Sequence, residues 1–221
     1  MRAGVILRSD SLRMNAINRR FFLCVVGSML AVTFSFLCES AAAEDSTPQA
    51  AGSVEEASGE AFAKVGEKQR LLKREAPIFV SDQVGTGPDS RLELRLGENT
   101  MVRLGERARL TINQFLMNVG GKMTLDEGAM LFDKRAGEPM PMEIRGEFGV
   151  IAVRGTRFFA GPSNKVFGVF VEEGAVTVSA GGRQVTVRAG EGTDIAKPGA
   201  RPTAPKRWGQ ARIDAAYARV R

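Results

Sequence analysis

Few residues in this sequence can do chemistry, and their kinds narrow the possibilities at once. The chain contains no histidine. That removes the commonest general base, the imidazole partner of a nucleophilic serine and the commonest metal ligand together. What remains are carboxylate pairs, Asp126-Glu127 and Glu172-Glu173, each followed by glycine and alanine. Two carboxylates can serve a glycosidase, but neighbours along a strand point to opposite faces, so neither pair is a ready-made dyad. The plainer reading is solvated turn residues ahead of a glycine. No catalytic, cofactor-binding or metal-ligating residue is expected.

A second constellation is Arg154-Gly155-Thr156-Arg157, followed by Phe158 and Phe159. Two arginines flanking a glycine and a hydroxyl could offer backbone amides and guanidinium groups to an anion or a partner. Arg154, Gly155, Thr156, Arg157 and Phe159 are therefore the candidate contact residues. The competing reading makes Arg154 a staple, hydrogen-bonded to strand carbonyls or to a buried carboxylate. Of the two phenylalanines one is expected in the core, the other either exposed for a partner or covered by the C-terminal tail. Gly85-Thr86-Gly87 and Gly181-Gly182 are turns and not phosphate cradles, since neither is followed by Lys-Ser/Thr and a helix.

The elements that must hold these residues are short strands. Leu92, Leu94 and Leu96 alternate with Glu93 and Arg95, Val102 and Leu104 flank Arg103, and Leu110 and Ile112 flank Thr111. Because strand side chains alternate in direction, each aliphatic set falls on one face and the polar residues on the other. Two echoes reinforce the pattern. Leu94-Arg95-Leu96-Gly97-Glu98 returns as Val102-Arg103-Leu104-Gly105-Glu106, and Asp126-Glu127-Gly128-Ala129 returns as Glu172-Glu173-Gly174-Ala175. In the second echo glycine is expected to relieve a bend leading into a strand. Residues 175–189 read as a hairpin closed by Gly181-Gly182. The Pro- and Gly-rich stretch from Ala196 to Pro205 should run over the surface. Ile213, Ala216, Tyr217 and Val220 lie at helical spacing, which predicts a short helix over 209–221, with Trp208 anchoring the tail to the sheet. The expectation is an all-β, single-domain fold of many short strands, a β-roll, short solenoid or jelly-roll-like sandwich, with a short C-terminal helix.

The amino terminus reads as an export signal over residues 1–43. Arg13, Arg19 and Arg20 precede an uncharged apolar run from Phe21 to Leu37, and Ala41-Ala42-Ala43 supplies small residues before Glu44. The alternative is an uncleaved membrane anchor, although a spanning helix needs about 20 apolar residues. Cys38 is a poor lipid-attachment site, because Ser35-Phe36-Leu37 precedes it. Cleavage would remove both cysteines, Cys24 and Cys38, so that no disulfide is expected in the mature domain. It would also take five of the 31 basic and two of the 25 acidic residues, leaving a net charge of +3. Basic residues that alternate with acidic ones describe a solvated strand face better than a nucleic-acid groove. Residues 44–58 are rich in Ala, Ser, Gly and acidic side chains without apolar period and are expected to form a flexible leader. The β domain is expected over 59–208.

Three segments together resemble the FecR family, whose periplasmic module serves regulators that pass a siderophore-occupancy signal towards a sigma factor. They are Val84 to Leu94 (Val-Gly-Thr-Gly-Pro-Asp-Ser-Arg-Leu-Glu-Leu), Val150 to Phe158 (Val-Ile-Ala-Val-Arg-Gly-Thr-Arg-Phe) and Glu172 to Val178 (Glu-Glu-Gly-Ala-Val-Thr-Val). Val-Arg-Gly-Thr-x-Phe is the most specific of them. The signal-transducing members carry a cytoplasmic helical segment before a membrane helix, whereas only twenty residues precede Phe21 here. The resemblance therefore implies the extracytoplasmic half alone: a periplasmic or secreted, non-catalytic module without cofactor that recognises another envelope protein or a glycan. It implies no nucleic-acid partner, and membrane contact only if the signal segment is retained. Two other readings stay open, a carbohydrate-binding accessory module of the cell wall and a cupin-like binding protein. Phe170 to Pro198 has the strand and turn order of a cupin's second half, but without the histidines that hold its metal. A carboxylate hydrolase would need acidic side chains converging across strands.

Overall fold

The computed structural model describes residues 48–116, 119–134 and 141–221. The export-signal or anchor reading of residues 1–43 lies outside the described residues. The first half of the chain forms β1 (Ala50–Ser58), β2 (Ala61–Val65), β3 (Lys68–Leu71), β4 (Pro77–Phe79), β5 (Gln83–Thr86), β6 (Arg91–Leu96), β7 (Thr100–Leu104), β8 (Arg109–Leu116) and β9 (Gly120–Glu127). The second half forms β10 (Met130–Lys134), β11 (Pro141–Gly146), β12 (Gly149–Arg154), β13 (Arg157–Ser163), β14 (Val166–Glu173), β15 (Ala175–Ala180), β16 (Arg183–Arg188), β17 (Glu191–Ile195), β18 (Lys206–Arg207) and helix α1 (Gln210–Ala218).

These strands make two nine-stranded sheets. Sheet A runs β18-β17-β14-β13-β10-β7-β6-β1-β4 and sheet B runs β16-β15-β12-β11-β9-β8-β5-β2-β3. From β6 onward the chain repeats one move, a hairpin within one sheet and then a corner into the other, interrupted only by β10, a lone strand of sheet A between β9 and β11 of sheet B. Both sheets are consequently laid down in near sequence order. That is the progression of a β-roll, and it lacks the long returns that define a jelly roll.

The alternation read from the sequence is the alternation of burial. Leu92, Leu94 and Leu96 of β6, Val102 and Leu104 of β7, and Leu110 and Ile112 of β8 are all buried between the sheets, while Arg95 and Arg109 face solvent. Each buried aliphatic side chain contributes about 1.5–3 kcal/mol relative to leaving it in water. In a chain whose described part contains no cysteine, this packing carries the fold.

The acidic-Glu-Gly-Ala echo marks two corners where the chain changes sheet. Gly128 joins β9 in sheet B to β10 in sheet A with φ +83°, and Gly174 joins β14 in sheet A to β15 in sheet B with φ +80°. A side chain at Gly174 would place its Cβ 2.7 Å from Thr156 Cγ2, so this corner has neither the backbone freedom nor the space for one. The other echo is not structurally equivalent. Gly97 turns a hairpin at φ +57° within sheet A, whereas Gly105 opens the crossing from β7 to β8.

The stretch expected as a flexible leader over 44–58 is instead ordered from Ala50. β1 lies between β6 and β4, which satisfy its backbone groups on both sides, and Ala51 and Val54 are buried. Register shifts at Ala50/Gly52 and at Val54/Glu56 break the two-residue alternation, which is why no apolar period shows in the sequence. The domain therefore begins before Gly59, where the sequence reading placed its start.

A second, smaller apolar cluster lies on the outer face of sheet A. Ala129, Leu131, Phe159 and Phe170 project from the strands and are covered by Trp208, Ala216, Tyr217 and Val220 of the C-terminal segment. Trp208 sits on a floor made by two glycines: a Cβ at Gly192 would come within 2.2 Å of its Nε1, and one at Gly168 within 2.8 Å of its Cη2. The expected anchoring of the tail by Trp208 and the expected terminal helix are both present.

Candidate functional site

The corner between β12 and β13 carries the constellation singled out from the sequence. β12 ends with Arg154, its side chain exposed on the outer face of sheet B. Gly155 turns the chain with φ +63°, a conformation that glycine adopts without steric cost. The chain then enters sheet A at Arg157, and the corner packs against Gly174 of the neighbouring crossing. A backbone hydrogen bond from Lys134 N to Thr156 O (3.2 Å) ties it to the end of β10.

These five residues do not share one surface. Arg154 and Gly155 are exposed, and among the described residues no carboxylate lies within ion-pair distance of Arg154. Among the described residues the staple reading of Arg154 thus finds no carboxylate partner. Thr156 is buried, its methyl group turned under Gly174. Its hydroxyl is accordingly withdrawn from any anion outside the corner. Arg157 is half-buried and pairs with Glu172 at 3.2 Å. That carboxylate also accepts a hydrogen bond from the Tyr217 hydroxyl, so Arg157 belongs to the tail's polar anchor. Phe158 packs in the main core, 5.4 Å from Phe132.

Phe159 is 0 % exposed beneath the C-terminal segment and is removed from the contact set. Sequence left open whether it met a partner or the tail; its burial with Phe170 and Tyr217 decides for the tail. The surface that remains is small and basic. One step beyond the registered pair Val153 and Val176, Arg154 faces Ala175, and Ala175 is paired with Arg188, also exposed. Two guanidinium groups thus flank an alanine at one rim of sheet B.

The carboxylate pairs are also separated by role. Asp126 accepts hydrogen bonds from Thr111 Oγ1 (3.0 Å) and Gln83 Nε2 (3.2 Å), while Glu127 pairs with Arg109 at 3.5 Å. Glu172 serves Arg157 and Tyr217, and Glu173 is exposed. Among the described residues no three His, Cys, Asp or Glu side chains converge closely enough to hold a metal ion. Asp82, buried at the start of β5, accepts from Phe79 N (2.8 Å) and pairs with Arg70, which fits a structural brace between β3, β4 and β5.

With the corner and its sheets described, comparison with known proteins places them. Residues 82–177 match the FecR protein family. The matched segment runs from β5 through the β12–β13 corner into β15, and contains the Val-Arg-Gly-Thr-x-Phe run on which the resemblance rested. The FecR match supports a signalling or regulatory module.

Two crystal structures, each of a candidate anti-sigma factor from Parabacteroides distasonis ATCC 8503, share the fold. One superposes with a TM-score of 0.52 at 14 % identity over 60 % of this chain and 63 % of that protein. The other gives 0.51 at 15 % identity over 60 % and 62 %. The chain thus spans less than two thirds of either protein's length. Comparison with curated proteins returned no match.

Proposed function

We propose that this chain is a non-catalytic, extracytoplasmic interaction module of FecR type, which meets an envelope protein through the exposed rim of sheet B around Arg154 and Arg188. The observation that carries the reading is the state of Arg154. It lies within the FecR-matching segment, at the family-specific corner, exposed and, among the described residues, without a carboxylate in reach. A guanidinium group left in water at a rigid corner costs the fold nothing to keep and is available for a carboxylate or backbone carbonyl of a partner. The apolar run from Phe21 to Leu37, followed by Ala41 to Ala43, supports export to the periplasm or beyond.

The test is site-specific photo-crosslinking in intact cells. A photoreactive residue at position 154 should capture one predominant envelope protein, and the same group at Gln69 on β3 should not. Mass spectrometry of the captured species also reads the mature amino terminus, expected at Glu44. Capture that is indistinguishable between the two positions, together with saturable binding on a glycan array, would replace this reading with a carbohydrate-binding one.

A further inference from the structure

The two sheets do not match strand for strand. In sheet A β10 lies directly beside β13, but in sheet B the corresponding strands β9 and β12 are separated by β11, which pairs parallel to β9. Sheet B is therefore one strand wider at the junction of the two halves, and the layers cannot close fully over each other there. A cavity of about 240 Å³ lies at this junction. Leu125, Ile144, Ile151, Val178 and Ile195 form its walls, and Phe148 and Phe167 stand beside it as a stacked pair, ring centroids 4.6 Å apart. Phe148 comes from the β11–β12 turn and Phe167 from β14, so the stack bridges the two sheets.

The charges at the cavity are lopsided. Asp126, Glu127, Glu147 and Arg145 line it. Arg145 is paired with Glu143 and Glu127 with Arg109. Asp126 is turned to the outer face of sheet B, where Thr111 and Gln83 hold its carboxylate, and the exposed Glu147 has no ion pair among the described residues. One negative charge, Glu147, is thus left without an ion pair among the described residues at the edge of an apolar interior.

We infer that this cavity binds a small amphiphile whose apolar part enters between the sheets and whose head group is positively charged, and that it discriminates against carboxylates. Apolar cavities of roughly 150 Å³ lined by Leu, Ile and Phe stay dry and take up benzene, so by proportion this one holds about ten carbon atoms. An incoming carboxylate would meet Glu147 as a like charge, and an ammonium group would meet it as a counter-ion. At wet, partly screened distances that difference amounts to roughly two- to fivefold in affinity.

The experiment uses the full chain and three probes of equal length: hexylammonium, 1-hexanol and hexanoate. Saturable methyl chemical-shift changes at Ile144, Val178 and Ile195 are expected, with affinity falling in that order. Glu147→Gln, on an exposed turn, should leave the fold intact and narrow the gap between hexylammonium and hexanoate. Val178→Phe should fill the cavity and abolish binding of all three; if it fails to fold, the wild-type and Glu147→Gln titrations decide. Failure of every probe to saturate, shifts located elsewhere, or hexanoate binding tightest would each overturn the inference. None of these outcomes bears on the crosslinking at position 154, so the two readings stand or fall separately.

Discussion

Arg212 of helix α1 grips Asp194 of β17 in a two-pronged ion pair, Nη2 to Oδ1 at 2.6 Å and Nη1 to Oδ2 at 3.2 Å, while its guanidinium lies 3.5 Å from the Trp208 ring centroid. Its Nε also donates to Ser163 Oγ at 3.0 Å. One side chain therefore joins the tail to two strands of sheet A. The pair is largely buried, so it is not screened like an ordinary surface bridge.

Arg212→Ala should cost about 2–4 kcal/mol of stability, because it removes charge-assisted hydrogen bonds and the contact with the indole, and leaves Asp194 unpaired. Trp208 is the one tryptophan of the chain, so its fluorescence reports the tail directly. Easier acrylamide quenching in the variant, before the global urea transition, is the expected signature. Unchanged quenching and midpoint would show that the latch is not held by this residue.

Tyr217 sets the alkaline limit of the tail. Burial first, then the hydrogen bond to Glu172 and that carboxylate's charge, push its hydroxyl well above tyrosine's ordinary 10.0, against the opposing pull of Arg157 and Arg221. A folded-state value above the unfolded one means that the folded protein keeps its proton where the unfolded chain loses it. This contribution is fully present below about pH 10 and is lost as pH rises from there through the folded value. The wild type should consequently lose stability above about pH 10 more steeply than Tyr217→Phe, as urea midpoints would read. Since the chain has a single tyrosine, tyrosinate absorbance follows the same group, and its ionisation should coincide with unfolding.

Gly174→Ala and Gly182→Ala separate two reasons for glycine. Both positions have positive φ, +80° and +74°, but a Cβ at Gly174 would meet Thr156 Cγ2 at 2.7 Å and Gly155 O at 2.9 Å, whereas one at Gly182 meets nothing within 4 Å. Gly182→Ala should cost about 1 kcal/mol for backbone conformation alone. Gly174→Ala should cost at least about 2 kcal/mol more, because the corner itself must shift. Equal urea midpoints would contradict the packing of the two crossings against each other.

Arg154→Ala and Phe159→Ala, close together in the sequence, should behave oppositely. Arg154→Ala is expected to leave stability within about 0.5 kcal/mol, as for other exposed side chains. Phe159→Ala should cost about 3–5 kcal/mol, since the ring is wholly buried under the tail. Crosslinking from a neighbouring exposed position, such as Ala175, should weaken in Arg154→Ala although its folding is unchanged. A destabilised Arg154→Ala would restore the staple reading.

The strands of the roll were legible because their residues obey a local rule. Leu92, Leu94 and Leu96 fall on one face by the pleat alone, whatever the rest of the chain does. The same holds for the 175–189 hairpin, where Gly181 and Gly182 take up the positive φ that the turn requires. β1 was not legible, since its two bulges erase the alternation and its buried residues are small. The contact set at the corner was only partly legible: the sequence singled out the run 154–157, but its place as a crossing between layers and the burial of Thr156 and Phe159 depend on what lies around them.

By itself, then, the order of residues determined the all-β class, the terminal helix, the absence of histidine chemistry and the likeness to the FecR family. These rest on composition, on neighbours two to four residues apart, or on short contiguous runs. Only the tertiary structure decided that Phe159 meets Trp208's segment and not solvent, that Arg212 reaches Asp194, and that an extra strand in sheet B opens a cavity between the layers. Each of those depends on segments far apart in the chain meeting across a sheet, and no local periodicity encodes which face of a strand a distant tail will cover.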